Sequence, residues 1–175
     1  SQWALDTLGA RQAWDTTTGG SGNIVAVLDT GLTPGHEDLA GKVWVNPGEI
    51  PGNGIDDDGN GYVDDVNGWH TGYYTMNNDI VDLHGHGTHV AGIIGATANN
   101  AVGIAGTAPS VTILPVRVSD GSSDSFFDEN VILAVEYLLA LRAQGVNIKA
   151  VNMSFGGTQY NHAEYTALQA LADTG

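Results

Sequence analysis

Cysteine is absent from the 175 residues, which excludes disulfides, thiolate nucleophiles and cysteine-based zinc sites and leaves the redox compartment open. Positive charge is nearly absent as well: five Lys and Arg face twenty Asp and Glu, a formal net charge of −15. A field of that sign repels polyanions, so nucleic acids and anionic membranes are excluded as partners. No apolar run approaches the ~18 residues of a membrane-spanning helix, and no signal peptide opens the sequence, so the expectation is no membrane contact and a targeting segment already removed. Charged residues make up only 14% of the chain, so the imbalance reflects scarce bases rather than acidic blocks of the disordered kind. The acids gather in a few places, which points to cation sites.

Glycine is what the chain has in plenty. It occupies 25 of 175 positions, about twice its usual share of ~7%, so tight turns and close backbone approaches are frequent. The length suits one domain with a real core. WALDTLGARQAW spaces its apolar residues loosely at helical intervals before TTTGGSGN breaks the pattern, predicting a short helix and a turn. NIVAVLDTG is a continuous β-branched run closed by Asp29, Thr30 and Gly31, the pattern of a strand buried on both faces. Its polar carboxyl end lies where open α/β sheets bind ligands. Residues 46–78, rich in Gly, Asn and Asp, predict a long ordered loop with a functional role. HGTHVAGIIGAT (86–97) predicts a buried helix and VTILPVRV a second buried strand. DENVILAVEYLLALRAQG predicts an amphipathic helix with Asp128 as cap and Gly145 as stop, IKAVNMSFGG a third strand, and NHAEYTALQALADTG a final helix. The alternation predicts an α/β fold with a doubly wound, mostly parallel sheet. No strand returns after the last helix, so the sheet reads as incomplete and the isolated chain is expected to expose an apolar edge and self-associate.

DLHGHGTHVAG (82–92) carries His84, His86 and His89. A metal reading has in its favour that 86 and 89 share a helix face, and against it that the Glu of an HExxH zinc helix is missing. A locally satisfied helix-start histidine is the second reading, and a single catalytic base the third. VAVLDTGLTPGHEDL (25–39), DLHGHGTHVAG and VNMSFGG (151–157) resemble, in order and approximate spacing, the catalytic Asp, catalytic His and substrate-strand blocks of subtilisin-like serine proteases. The resemblance covers nearly the whole chain and implies that residues 1–175 are the amino-terminal portion of a peptidase domain of the subtilisin type. It implies that Asp29 is the triad aspartate and His86 the triad histidine. In that chemistry His86 takes the proton of a serine hydroxyl and returns it to the leaving amine, while Asp29 holds the tautomer and stabilises the imidazolium. Gly85 and Gly87 would clear space for a substrate backbone, His89 would be a buried, hydrogen-bonded residue, and His84 a bystander.

The same resemblance gives Ser154, Phe155 and Gly156 the role of pairing with substrate backbone and makes Gly121, Ser122 and Ser123 the opposing strand. Ser123 stands where the family has a second glycine, which alters the pocket there. Neither the GTSMA-like segment of the nucleophilic serine nor the strand of the oxyanion asparagine occurs in the 175 residues. Asp29 and His86 without them form no acyl-enzyme, so this chain alone is expected to be inactive.

DDDGNGYVDDVNG places Asp56, Asp58 and Asn60 at alternate positions, Gly61 at a turn, Tyr62 to offer a carbonyl and Asp64 at the ninth position of an EF-hand-like loop. Asn67 replaces the closing Glu, with Asp65 as the substitute. Five acids in ten residues repel one another without a cation, so calcium is the expected cofactor. The resemblance implies a second calcium site from Asp38, the Asn100 side chain and the carbonyls of Val102 and Ile104, with Gln2 or a residue upstream of Ser1 as a further ligand. Asn77, Asp79 and Asp82 form a third candidate group. The resulting expectation is a secreted, extracellular, calcium-stabilised serine endopeptidase acting on peptide or protein substrates. Further partners would be a carboxyl-terminal chain of the same protease and a propeptide or inhibitor. The alternatives are a noncatalytic calcium-binding module on the same scaffold and, third, a metallohydrolase.

Overall fold

The computed structural model describes residues 2–72, 75–121 and 126–175. The amino-terminal pattern resolves into two short helices, α1 (Trp3–Thr7) and α2 (Ala10–Ala13), rather than one. Gly9, with φ of 69°, sits in the left-handed region between them and breaks the run. There follow β1 (Ile24–Asp29), a 3-10 turn (Glu37–Leu39), β2 (Trp69–Gly72), β3 (Thr75–Asn77), α3 (His86–Gly95), β4 (Thr112–Arg117), α4 (Asp128–Ala143), β5 (Ile148–Met153) and α5 (His162–Ala172).

The strands form one sheet in the order β3-β2-β4-β1-β5. β1 lies parallel to β4 and β5, and β2 parallel to β4, while β3 returns antiparallel on β2 at the edge. The expected doubly wound, mostly parallel architecture is therefore present. Period two along β1 decides which side chain meets which layer. Ile24, Ala26 and Leu28 join Leu114 and Val116 against Val131, Val135 and Leu138 of α4. Val25 and Val27 face the other way with Ile113, against Val90 and Ala91 of α3. Burial on both faces explains why β1 reads as an unbroken apolar run.

β4 carries Pro115 in mid-strand, a residue normally kept out of central strands. Ile113 exchanges its backbone bonds on the outer side with Lys42 and Trp44, and β2 pairs only from Val116 onward. The missing N–H of Pro115 thus falls where the outer neighbour changes and no partner needs it. Gly68, which leads into β2, passes so close that a Cβ there would lie 2.1 Å from the Pro115 carbonyl oxygen.

Two expectations require correction. The span 46–78 is not all loop, because β2 and β3 lie within it. Asp128 is the first helical residue of α4 rather than its cap, which is the extended Phe127, and no side chain caps this end. Asp128 and Glu129 instead place negative charge in the first turn, where the helix dipole favours it.

Candidate active site

Asp29 ends β1 fully buried, and His86 begins α3 with its ring partly exposed. His86 Nδ1 lies 2.6 Å from Asp29 Oδ1, and the Thr30 backbone N–H donates to the same oxygen at 2.7 Å. A carboxylate can only accept, so Nδ1 carries a proton, and in the neutral imidazole Nε2 keeps a lone pair for a substrate or nucleophile. The other oxygen, Oδ2, is buried with no donor among the described residues. The dyad is thus fixed on a strand end and a helix start, two rigid elements.

Asp82 locks the start of α3 in place. Its Oδ1 accepts from the backbone N–H groups of His84 (3.0 Å) and Gly85 (2.7 Å) and from Thr30 Oγ1 (2.8 Å). Its Oδ2 accepts from Thr88 N–H (2.9 Å) and Oγ1 (2.6 Å). Burial alone would push this carboxyl up, but those bonds outweigh it and hold it down to about 2. Asp82 is therefore committed to fixing the start of α3. Asp79 is spent too, pairing with Arg117 at 3.3 Å and accepting from Val81 N–H, while Asn77 Oδ1 accepts from Asp79 N–H. Sequence reasoning missed the anchoring role of Asp82; its position four residues ahead of His86 was the available signal.

The glycines around His86 act differently from each other. Gly85 adopts φ of 97° with open space around it. A Cβ on Gly87 would lie 2.3 Å from the Gly31 carbonyl oxygen and 3.1 Å from Asp29. Gly87 is thus required for α3 to close on β1, rather than to admit a substrate. His89 is exposed, not buried, because it projects from α3 with Ile93 on the face opposite Val90 and Ala91. His84 is exposed, its ring 6.4 Å from that of His86. With Nδ1 of His86 engaged by Asp29, the three histidines form no metal group; among the described residues the only such group is acidic.

A cavity of ≈ 620 Å³ opens beside His86 and is lined by Ser154, Phe155 and Gly156. Phe155 stacks on Phe126 with ring centroids 4.4 Å apart, so the substrate-strand residues and His86 share one space. Gly121 lies just after β4 with φ of 85° and is not in that lining. Ser122 and Ser123 lie outside the described residues.

The acidic loop does not follow the EF-hand register. Ligand oxygens of Glu49, Asp58 and Asp65 lie within 4.8 Å of one another, with Glu49 and Asp65 buried. Asn46 donates to both Asp58 (2.9 Å) and Asp65 (2.7 Å), and Asn60 donates to Asp65 at 3.1 Å. Tyr137 of α4 donates to Asp65 at 2.8 Å. Burial pushes the Asp65 carboxyl up against these bonds, and burial together with the Asp65 charge drives the Tyr137 hydroxyl well above its usual range. For Asp58, burial is outweighed by hydrogen bonds from Asn46 and Gln144, which hold it low. Asp64 turns away to accept from the N–H groups of Gly52, Asn53 and Gly54, and Asp56 accepts from Gly59, Asn60 and Gly61. The Tyr62 ring packs edge-on against Trp69 and Tyr137. Glu49, absent from the sequence reading, lies outside the alternating run, and no local spacing points to it.

The other expected cation residues also meet. Asn100 donates to Asp38 Oδ1 at 2.8 Å, Ile104 N–H to Asp38 Oδ2 at 2.7 Å and Val102 N–H to Asn100 Oδ1 at 3.1 Å. Gln2 pairs with the backbone of Ala105 through both its amide atoms. Asn99 and Ala101 both have φ of 62°, an uncommon region for non-glycine residues. The loop is thus tightly wound around Asp38.

A sequence model of the subtilase family matches residues 20–174. Thermitase of Thermoactinomyces vulgaris is 36% identical over 165 residues, covering 91% of this chain and 46% of that protein. An extracellular protease of Xanthomonas campestris pv. campestris is 36% identical over 89% of this chain and 28% of its own length. The major intracellular serine protease of Bacillus subtilis is 34% identical over 87% and 40% respectively. Among solved structures, Sphericase superposes with a TM-score of 0.68 at 30% identity, over 91% of this chain and 45% of that one. The chain spans about half or less of the length of these relatives.

Proposed function

The chain belongs to the subtilase family, and from that premise we propose that its 175 residues are the amino-terminal portion of a serine endopeptidase domain, supplying the aspartate and histidine of an Asp-His-Ser triad. The observation that carries this reading is the 2.6 Å bond between Asp29 and His86 at the mouth of the sheet, beside a cavity walled by Ser154, Phe155 and Gly156. Nε2 would accept the serine proton as the hydroxyl attacks a peptide carbonyl. The imidazolium, stabilised by Asp29, would then protonate the departing amine. A peptide laid along 154–156 would gain main-chain hydrogen bonds on that side. The nucleophile and the oxyanion donors come from residues other than these 175, so the chain by itself does not hydrolyse peptides. In an active form that joins these residues to a GTSMA-like segment, His86→Ala should lower kcat by roughly 10⁴-fold or more. Hydrolysis at the unsubstituted rate would remove His86 as base.

Calcium fits two places. Glu49, Asp58 and Asp65 offer a converging set of hard oxygens, two of them on buried residues, and no lysine or arginine pairs with them among the described residues. Such a set suits an oxygen-seeking dication. Asn60 is in reach of the same point and the Tyr62 carbonyl is kept as a further ligand, whereas the Asp56 and Asp64 carboxylates are taken up by loop N–H groups. Asp38, Asn100, Gln2 and the carbonyls of Val102 and Ile104 would form the second site. Bound calcium would offset the repulsion among the carboxylates and stiffen both loops. Secretion to the extracellular space is part of the reading, supported by the relative named an extracellular protease. A peptide or protein substrate, the serine-bearing segment, and a propeptide or inhibitor seated along 154–156 are the partners it implies.

A further inference from the structure

The cavity beside His86 is not chemically uniform. One wall is apolar, made by the stacked rings of Phe126 and Phe155 with Val131. The lining also holds two neighbouring acids, Asp128 of α4 and Glu164 of α5. These two carboxylates are held in relation to each other. Asp128 Oδ2 accepts from Asn161 Nδ2 at 2.7 Å, and Asn161 Oδ1 accepts from the N–H of Glu164 at 3.3 Å, capping α5. Among the described residues no lysine or arginine lines the cavity. Burial, and then the neighbouring Asp128 charge, push the Glu164 carboxyl above its usual range, the behaviour of an acid that lacks a cationic partner.

Building on the endopeptidase reading, we propose that this cavity selects a long basic side chain, arginine or lysine, of the peptide substrate, with Asp128 and Glu164 as the specificity-determining residues. Such a side chain is amphipathic in the same sense as the cavity. Its methylene stem covers apolar surface while its charged head seeks polar surroundings, and a guanidinium gains further from aromatic faces. A wholly apolar side chain would leave both carboxylates desolvated without compensation, and an acidic one would add a third negative charge. The first turns of α4 and α5 favour their own acids, but that preference explains only the presence of Asp128 and Glu164, not their meeting in the lining of a cavity that contains His86. The net charge of −15 also draws cationic peptides toward the surface.

The test measures binding, so it does not depend on hydrolysis. Fluorescent octapeptides of uncharged sequence, each with arginine, its neutral isostere citrulline or glutamate at one scanned position, are titrated by anisotropy into the 175-residue chain at low salt. The expected result is a preference of about tenfold for arginine over citrulline at one position, as two partly exposed charge pairs supply, with glutamate weaker than citrulline. In the Asp128→Asn, Glu164→Gln double variant, shown to be folded by its unchanged melting curve, the preference should fall to near unity. Failure of the arginine peptide to bind, arginine and citrulline binding alike at every position, or a preference that survives the double substitution would overturn the proposal. An active form that cleaves peptides without regard to their charge would overturn this inference alone. Selection of arginine by the chain, with no hydrolysis even when it is joined to the serine-bearing segment, would overturn the endopeptidase reading alone.

Discussion

Buried and half-buried carboxylates gather both at the carboxyl end of β1 and in the acidic loop, and the two groups are satisfied in different ways. At the carboxyl end of β1, Asp29 and Asp82 are each met by their own donors: an imidazole and an N–H for one, three N–H groups and two hydroxyls for the other. Toward the other end of α4, whose sixteen residues span about 24 Å, Glu49, Asp58 and Asp65 also collect donors but crowd within 4.8 Å of one another. Hydrogen bonds from neutral groups leave three negative charges in one place. The first arrangement meets its carboxylate oxygens with donors, all but Asp29 Oδ2 among the described residues, and the second is short of positive charge. This difference separates a group built for proton transfer from one built for a cation.

Chelation should separate the two regions most sharply. If calcium fills the acidic group at about 100 times its dissociation constant, it contributes about 2.7 kcal/mol, which moves the melting temperature of a chain this size by about 5–10 °C. EDTA should lower the melting temperature by at least that amount, and Asp65→Asn should remove the share of the response that the acidic group contributes, leaving only that of the Asp38 loop. An EDTA-insensitive melt in the unsubstituted chain would erase the distinction between the regions.

A smaller effect is expected on the other side of the comparison. Asp82→Ala removes the carboxylate that holds the start of α3 and should cost about 2 kcal/mol, read by urea unfolding, with the calcium response intact. A cost that disappears in EDTA would mean that Asp82 belongs to a cation site after all.

The smallest expected effect is in acid. The carboxyl of Asp82 is held below its unfolded value of 3.8, at about 2. Its stabilisation is therefore complete above the unfolded value and is lost as pH falls from about 4 through 2. After discounting for solvent screening, that loss is about 1–2 kcal/mol, and it should be missing from the acid limb of the Asp82→Ala unfolding curve. Identical acid limbs for the two proteins would contradict the anchoring role of Asp82.

How much of this was legible in the sequence depends on the range of the interaction. β1, β4, β5 and the helices are written in local periodicity, because each buries a face that repeats every two or every three to four residues. Asp29 and His86 were legible for a related reason, since each closes or opens such an element within a recognisable block. β2 and β3 were not, because strands of four and three residues in a stretch rich in Gly, Asn and Asp become strands only by pairing with β4 and with each other. Glu49 is a similar case: its place beside Asp58 depends on loop closure, helped by Gly48, where a Cβ would lie 2.6 Å from that of Asp58. The exposure of His89 also escaped the sequence, since its face of α3 is set by which side packs on the sheet.

The claim on which the account rests is that Asp29 and His86 form a hydrogen-bonded pair in the folded chain, with the proton on Nδ1. Proton NMR of the 175-residue chain tests it without any nucleophile. The account predicts a strongly downfield imidazole N–H resonance, coupled to a labelled His86 ring nitrogen and lost in Asp29→Ala. A folded chain whose His86 ring shows no such proton, or whose downfield resonance survives removal of Asp29, would contradict it.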